Sequence, residues 1–324
     1  MTNHAVSLIA RAMLAASLAG GAVAHAQNVG IATSNPGSIY HSTGTAIAKT
    51  LSDVAKLNAT VYPFASPTVY LPALHSGEYA FGISNVEETR VAVLGIEQFE
   101  GRRYADLRAV TILYPLRVAF FVRNDSAIKT VADLKGKRVV DGYGSQKTIP
   151  PLLDALYATA GMTRADIQPV NVPNVVGGAD AFISGKADAF FFALGAAKVE
   201  EANASVGGIR VLDVANTAEN LARVRKHFPP SYLRPETPGP RNVGVVGPVH
   251  ALAYDAVLLA SVKTPDETVY KVVKAMHDNK KLMASVFGPM NLFEPDRMAT
   301  AIDPIQWHPG AVRFFTEQKV WPPK

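Results

Sequence analysis

The sequence contains no cysteine, which excludes disulfide staples and thiol chemistry and leaves the fold to burial alone. Beyond Gln27 it has no apolar run long enough to cross a bilayer. It also lacks any cluster of Lys and Arg interleaved with aromatics. The formal net charge of +5 is spread along the chain, which makes nucleic acid a poor partner and is compatible with an anionic ligand without demanding one. Catalytic signatures are missing too. There is no Gly-x-Ser-x-Gly elbow. His41, His75, His227, His250, His277 and His308 are scattered, without the spacing of a metal site. They are read as surface or packing residues, with His41, beside Tyr40, the one to watch. The run GYGSQKT (142 to 148) fails both phosphate-loop patterns: Lys147 stands where a dinucleotide fingerprint has its third glycine, and Gln146 precedes the lysine where a Walker loop has glycine. No metal, no cofactor and no enzymatic activity are expected.

What is present begins with a leader. Arg11 precedes the apolar run Ala12 to Ala19, which breaks at Gly20-Gly21. Ala24-His25-Ala26 then has the small-x-small form of a processing site. Residues 1–26 are read as a signal peptide cleaved after Ala26, which sends the mature chain out of the cytoplasm.

The mature chain repeats itself once. LPALHSGEYAFGIS (71 to 84) and ADAFISGKADAFFFA (179 to 193) share a helix end, Ser-Gly, a charged residue and an alternating Ala/Phe run. Gly77 and Gly185, 108 residues apart, stand where a helix takes a left-handed cap. At the same offset VGIATS (29 to 34) answers KRVVDG (137 to 142), and ATVYPF (59 to 64) answers IQPVNV (167 to 172). Between them Ile47, Leu51 and Val54, and then Leu152, Leu153 and Leu156, give helices an apolar face, with Pro150 and Pro151 in the second helix's first turn. Each half therefore reads strand-helix-strand-helix-strand, which requires right-handed crossovers and a parallel sheet. Two such α/β lobes would face their strands' carboxyl ends toward a shared cleft. A strand through Leu116 to Val122 should cross from one lobe to the other, with Thr130 and Asp133 as a capping pair after it. Residues 249 to 264 should return, followed by a helix with Thr264 as N-cap, Pro265 at N1 and Glu267 at N3. The Pro- and Gly-rich stretch 228 to 248 reads as a surface excursion.

Three stretches carry a resemblance. IATSNPGSIYHSTGTAIAKTLSD (31 to 53), LRAVTILYPLRVAFFVRNDSAIKTVADLKGKRV (107 to 139) and HPGAVRFFTEQKVW (308 to 321) are similar to the opening, crossover and C-terminal segments of the TAXI family. These are the solute receptors of tripartite ATP-independent periplasmic (TRAP) transporters. The resemblance implies a periplasmic, monomeric receptor with the two-lobed type II binding-protein fold, two Rossmann-like lobes joined by crossing strands. Residues 27–116 plus 250–324 would form lobe 1 and residues 117–249 lobe 2. It also implies delivery of a small carboxylate or amino acid, glutamate- or 2-oxoglutarate-like, to TRAP membrane subunits. The ligand turns depart from the family pattern, with Asn35-Pro36-Gly37-Ser38-Ile39 in the first and Gln146-Lys147 in the second. A receptor feeding a sensor and an exported hydrolase remain the alternatives.

Four loops supply the candidate ligand contacts. They are Ser34, Asn35, Ser38 and Tyr40 in the first turn, and Ser84 and Asn85 after the strand at 80 to 84. The second turn adds Ser145, Gln146, Lys147 and Thr148, and the crossover adds Tyr114 and Arg117. Ser34 and Ser38 could equally cap a helix, Tyr40 could be core, and Arg117 could face solvent. Phe190, Phe191 and Phe192 read as sheet core first and cleft wall second. Arg117 and Lys147 are the expected grips on a carboxylate.

Overall fold

The computed structural model describes residues 28–323, so the signal peptide and its cleavage after Ala26 lie outside the described residues. The first half runs β1 (Asn28–Ser34), α1 (Ile39–Val54), β2 (Asn58–Phe64), α2 (Pro67–Ser76), β3 (Phe81–Asn85) and α3 (Val86–Leu94). The crossing strand β4 (Leu107–Arg123) leads to the second half. There β5 (Arg138–Asp141), α4 (Ile149–Thr159), β6 (Gln168–Asn171), α5 (Val175–Ile183), β7 (Ala189–Ala193) and α6 (Ala197–Ser205) repeat the pattern. The chain closes with β8 (Ile209–Val211), α7 (Ala218–His227), β9 (Tyr232–Glu236), β10 (Val249–Ser261), α8 (Asp266–Asp278), α9 (Lys280–Val286) and α10 (Pro309–Glu317).

The duplication is structural. β1 pairs in parallel with β2 and β3, and β5 pairs in parallel with β6 and β7. The third strands, β3 and β7, are buried at every residue, as strands covered on both faces must be. Gly77 and Gly185 both take positive φ, 87° and 74°, and release the chain from α2 and α5 toward those strands. The full order is β2-β1-β3-β10-β4-β7-β5-β6, with β8 on β4 and β9 on β10.

Two lobes result because β4 and β10 each serve both. β4 runs beside β10 from Leu107 to Val118 and beside β7 from Val118 to Val122. β10 pairs with β9 through Ala253 and with β3 from Ala256. The core follows the sheet, and Ile47, Leu51, Leu152, Leu153 and Leu156 are all fully buried in it.

Four details differ from the sequence reading. Val54 is 42% exposed, because α1 is ending there and its apolar stripe has turned past the sheet. The crossing strand is longer than Leu116 to Val122. The excursion 228 to 248 contains an edge strand, β9, whose Pro235 is tolerated at a sheet edge. The helix after β10 starts at Asp266, with Pro265 in the cap position and no side-chain cap. Thr264 is not its cap because its hydroxyl donates to the Ala80 carbonyl at 3.1 Å. The Thr130–Asp133 pair is as expected, with the Asp133 carboxylate accepting from the Thr130 hydroxyl at 3.0 Å.

The His-Pro-Gly stretch has a packing explanation. His308 is fully buried, accepts the Gly310 N–H at Nδ1 over 3.2 Å and donates its backbone N–H to the Ala109 carbonyl at 2.8 Å. A Cβ on Gly310 would lie 2.2 Å from the Asp266 carbonyl oxygen, so only glycine lets α10 approach α8 this closely.

Candidate functional site

A cleft enclosing about 550 Å³, part of it open to solvent, lies between the lobes at the carboxyl ends of β1, β3 and β7, where open α/β sheets place their ligands. Its floor is Leu116 and Val118 of β4 with Tyr254 of β10. One wall carries Ser34, Ser38, Ile39, Tyr40, Asn85 and Glu88; the facing wall carries Gln146, Thr148, Ile149 and Val175, with Phe191, Phe192 and Ala193 from β7.

Helix ends dominate this lining. Ile39, Pro67, Ile149 and Val175 open α1, α2, α4 and α5, and Asn85 caps α3. Each N-terminus brings the positive end of a helix dipole. They converge on a cleft whose lining holds no Arg, Lys or His among the described residues.

The polar side chains divide into committed and free. Ser38 caps α1 by accepting the His41 N–H at 3.2 Å, and Asn85 caps α3 by accepting the Glu88 N–H at 2.8 Å. Gln146, in the turn before α4, accepts the Val175 N–H at 2.6 Å and so caps α5 from a distant turn. Ser34 is different: it is 3% exposed, faces the cleft, and its Oγ has no hydrogen-bond partner among the described residues. A buried hydroxyl left unpaired costs free energy, and the cleft is where its partner would come from.

The structure gathers Ser34, Ser38, Tyr40, Asn85, Gln146 and Thr148 into the cleft lining. It places the other candidates elsewhere. Asn35 forms the turn, its carbonyl accepting the Ser38 N–H at 3.1 Å. Ser84 is buried just short of the lining. The Tyr114 hydroxyl lies 2.6 Å from the Thr43 hydroxyl, between β4 and α1. Ser145 is at the rim, where its carbonyl accepts the Ser66 hydroxyl, and the Lys198 N–H donates to the Gly37 carbonyl at 3.2 Å, a second contact between the lobes.

Both expected cations fall outside the lining. Lys147 is exposed. Arg117 is 4% exposed, but its guanidinium is committed: Nη1 donates to Glu236 at 2.7 Å and Asn242 at 2.9 Å, and Nη2 donates to the Leu194 carbonyl at 3.4 Å. His41 lies outside the lining too, its Nδ1 3.3 Å from the Thr33 hydroxyl.

One lining residue that sequence reasoning passed over is ionisable. Glu88, 1% exposed, accepts the Thr68 hydroxyl at 2.5 Å, and the Thr148 side chain of the opposite lobe lies near enough to favour its charged form. Burial holds its carboxyl above the usual carboxylate range, and those hydroxyls pull it partly back. The spacing Asn85-x-x-Glu88 was visible, but it reads as an ordinary capping pair. The Asn85 half of that pair exists, while the carboxylate turns to the threonines and the cleft.

Residues 31–318 match the NMT1-like family. The chain belongs to that family. NMT1-like proteins are periplasmic solute-binding proteins, so this chain is a solute-binding receptor and not an enzyme. Among solved structures it is similar to MatC from Rhodopseudomonas palustris with bound malate, at 13% identity and a TM-score of 0.57 over 82% of this chain and 89% of that one. It is similar to a protein from Bordetella bronchiseptica RB50 at 16% identity and a TM-score of 0.55, over 90% and 98% of the two chains. A further structure, of a periplasmic transporter, matches at 14% identity and a TM-score of 0.57 over 80% and 86%. These likenesses give the fold: the two-lobed periplasmic binding-protein architecture. Among the described residues no helix is long and apolar enough to cross a membrane.

Proposed function

We propose that this NMT1-like receptor is of the TAXI kind: it captures a small organic anion, a carboxylate, outside the cytoplasm and hands it to the membrane subunits of a TRAP carrier. The observation that carries the reading is the convergence of helix N-termini on a cleft that also holds the unpaired Ser34 hydroxyl. Such ends bind anions without a side-chain cation. Ser34, Ser38, Tyr40, Asn85, Gln146 and Thr148 are proposed as contacts, with Phe191 and Phe192 against the ligand's carbon body. Arg117 and Lys147 are withdrawn from that role, the first because its donors are used, the second because it is exposed.

The lobes are proposed to divide at 116/117 and 249/250, so that lobe 1 is 27–116 with 250–324 and lobe 2 is 117–249. The partner switch of β4 at Val118 supports the first boundary. The receptor is proposed to act as a monomer. Mass spectrometry of small molecules released by denaturing the natively purified protein tests the reading. An organic acid that also raises the melting temperature of the emptied protein is expected. Failure to recover or bind any organic acid contradicts it.

A further inference from the structure

Glu88 sets a condition on any acid that enters this cleft. Its surroundings are known from every side. Thr68 and Tyr70 approach from α2, Tyr40 from α1, Tyr254 from β10, and Thr148 from the start of α4 across the cleft. On its own helix, Glu87 is tied to Arg90 by two hydrogen bonds at 2.7 and 2.8 Å. No Arg, Lys or His contributes to the field at Glu88 among the described residues, and none is in the lining.

Closing the lobes on a carboxylate would bury a second acid group beside this one, away from water and with only helix ends and hydroxyls as counterweight. Two carboxyls sharing such a site do not both stay ionised; one keeps a proton. The Ser34 hydroxyl and the first N–H groups of α1 offer donors to the ligand's anion, while Glu88 has hydroxyls around it that can turn from donor to acceptor.

Resting on the carboxylate reading above, we infer that the receptor takes up a monoanionic acid together with one proton, which Glu88 holds, making Glu88 a specificity-determining residue that discriminates against dianions. The step is a simple association: a solvent proton bonds to the Glu88 carboxylate as the cleft closes, and the resulting O–H donates to the ligand or to a neighbouring oxygen. Opening releases both. The position of the Glu88 carboxyl above the ordinary range in the free protein is consistent with this. A dicarboxylate would bring a second charge for which the lining holds no cation. Phe191, Phe192, Leu116 and Val118 offer an apolar surface to the rest of a monoacid instead.

The test is titration calorimetry on the emptied full chain with butyrate, hexanoate and benzoate against succinate and malate, each in phosphate and in Tris at matched pH. Differing buffer ionisation heats report protons exchanged. The monoacids should bind more tightly than the diacids, with about one proton taken up, and their affinity should fall about tenfold per pH unit where uptake is complete. Glu88→Gln should still bind the monoacids, without proton uptake or that pH dependence. Binding without proton exchange, or a preference for the dicarboxylates, would overturn the inference, and neither measurement depends on a variant folding. If no acid of either kind binds, the carboxylate reading itself is wrong and this inference goes with it.

Discussion

Arg117 and Lys147 are the cations that chain order brings nearest to the ligand turns, and the fold uses neither in the cleft. By sequence Arg117 is an expected grip on the ligand, with exposure to solvent as the alternative because its neighbours alternate. The alternation does not translate into exposure, because β4 is buried on both faces along most of its length. A buried charge there needs a partner, and Glu236 lies 119 residues away in sequence, on a strand with no readable period. That distance is why the pair was not legible. Arg117→Ala should therefore destabilise the protein by about 3 kcal/mol, the lower end for breaking a buried pair, because Glu236 keeps Arg234. Lys147→Ala should change stability by less than about 0.5 kcal/mol. Denaturant unfolding of the two variants checks both, and equal effects would refute the assignment. The small hydroxyls were more legible, since Ser and Asn at strand ends are either caps or contacts. Ser34 is a contact in this account, so Ser34→Ala should leave the ligand-free melting temperature unchanged or higher. It should weaken binding of an anionic solute by about 1.5 kcal/mol, roughly tenfold. A stability loss without an affinity loss would show that Ser34 is structural.

Among the elements, the repeated half was the most readable part of the fold, because a glycine cap and a short apolar strand leave a local signature. The 108-residue offset from Gly77 to Gly185 also maps Phe81–Asn85 onto Ala189–Ala193, the observed bounds of β3 and β7. Space around these caps is not limiting: a Cβ at Gly185 meets nothing within 4 Å, and one at Gly77 meets only the Lys263 side chain at 3.5 Å. The cost of Gly77→Ala and of Gly185→Ala is then conformational alone, about 1 kcal/mol each at positive φ. Thermal unfolding should show two similar losses; a neutral variant at either position would break the equivalence of the halves. β9 escaped the sequence reading because Pro235 and the flanking prolines mask a strand that needs only one paired edge.

At the scale of the whole molecule, the two long strands that change partner between the lobes are the proposed hinge, and the cleft above them is where capture of a solute is proposed. Ser66 to Ser145 and Gly37 to Lys198 are contacts across the rim that opening of the lobes would break. A solute favouring the closed arrangement stabilises it by mass action, about 2.7 kcal/mol at a hundred times its Kd, and shifts the population of lobe orientations accordingly. Two-lobed architecture was legible from the repeat, whereas the closed cleft's lining depended on contacts between distant turns. The absence of cysteine makes the decisive measurement clean. Cysteines replacing Val69 and Lys147, exposed positions flanking the Ser66–Ser145 contact, accept a label pair at those two sites only. With the co-purifying solute removed and then restored, the distance between labels should shorten as the melting temperature rises. A solute that stabilises the protein while leaving that distance unchanged would contradict capture between closing lobes.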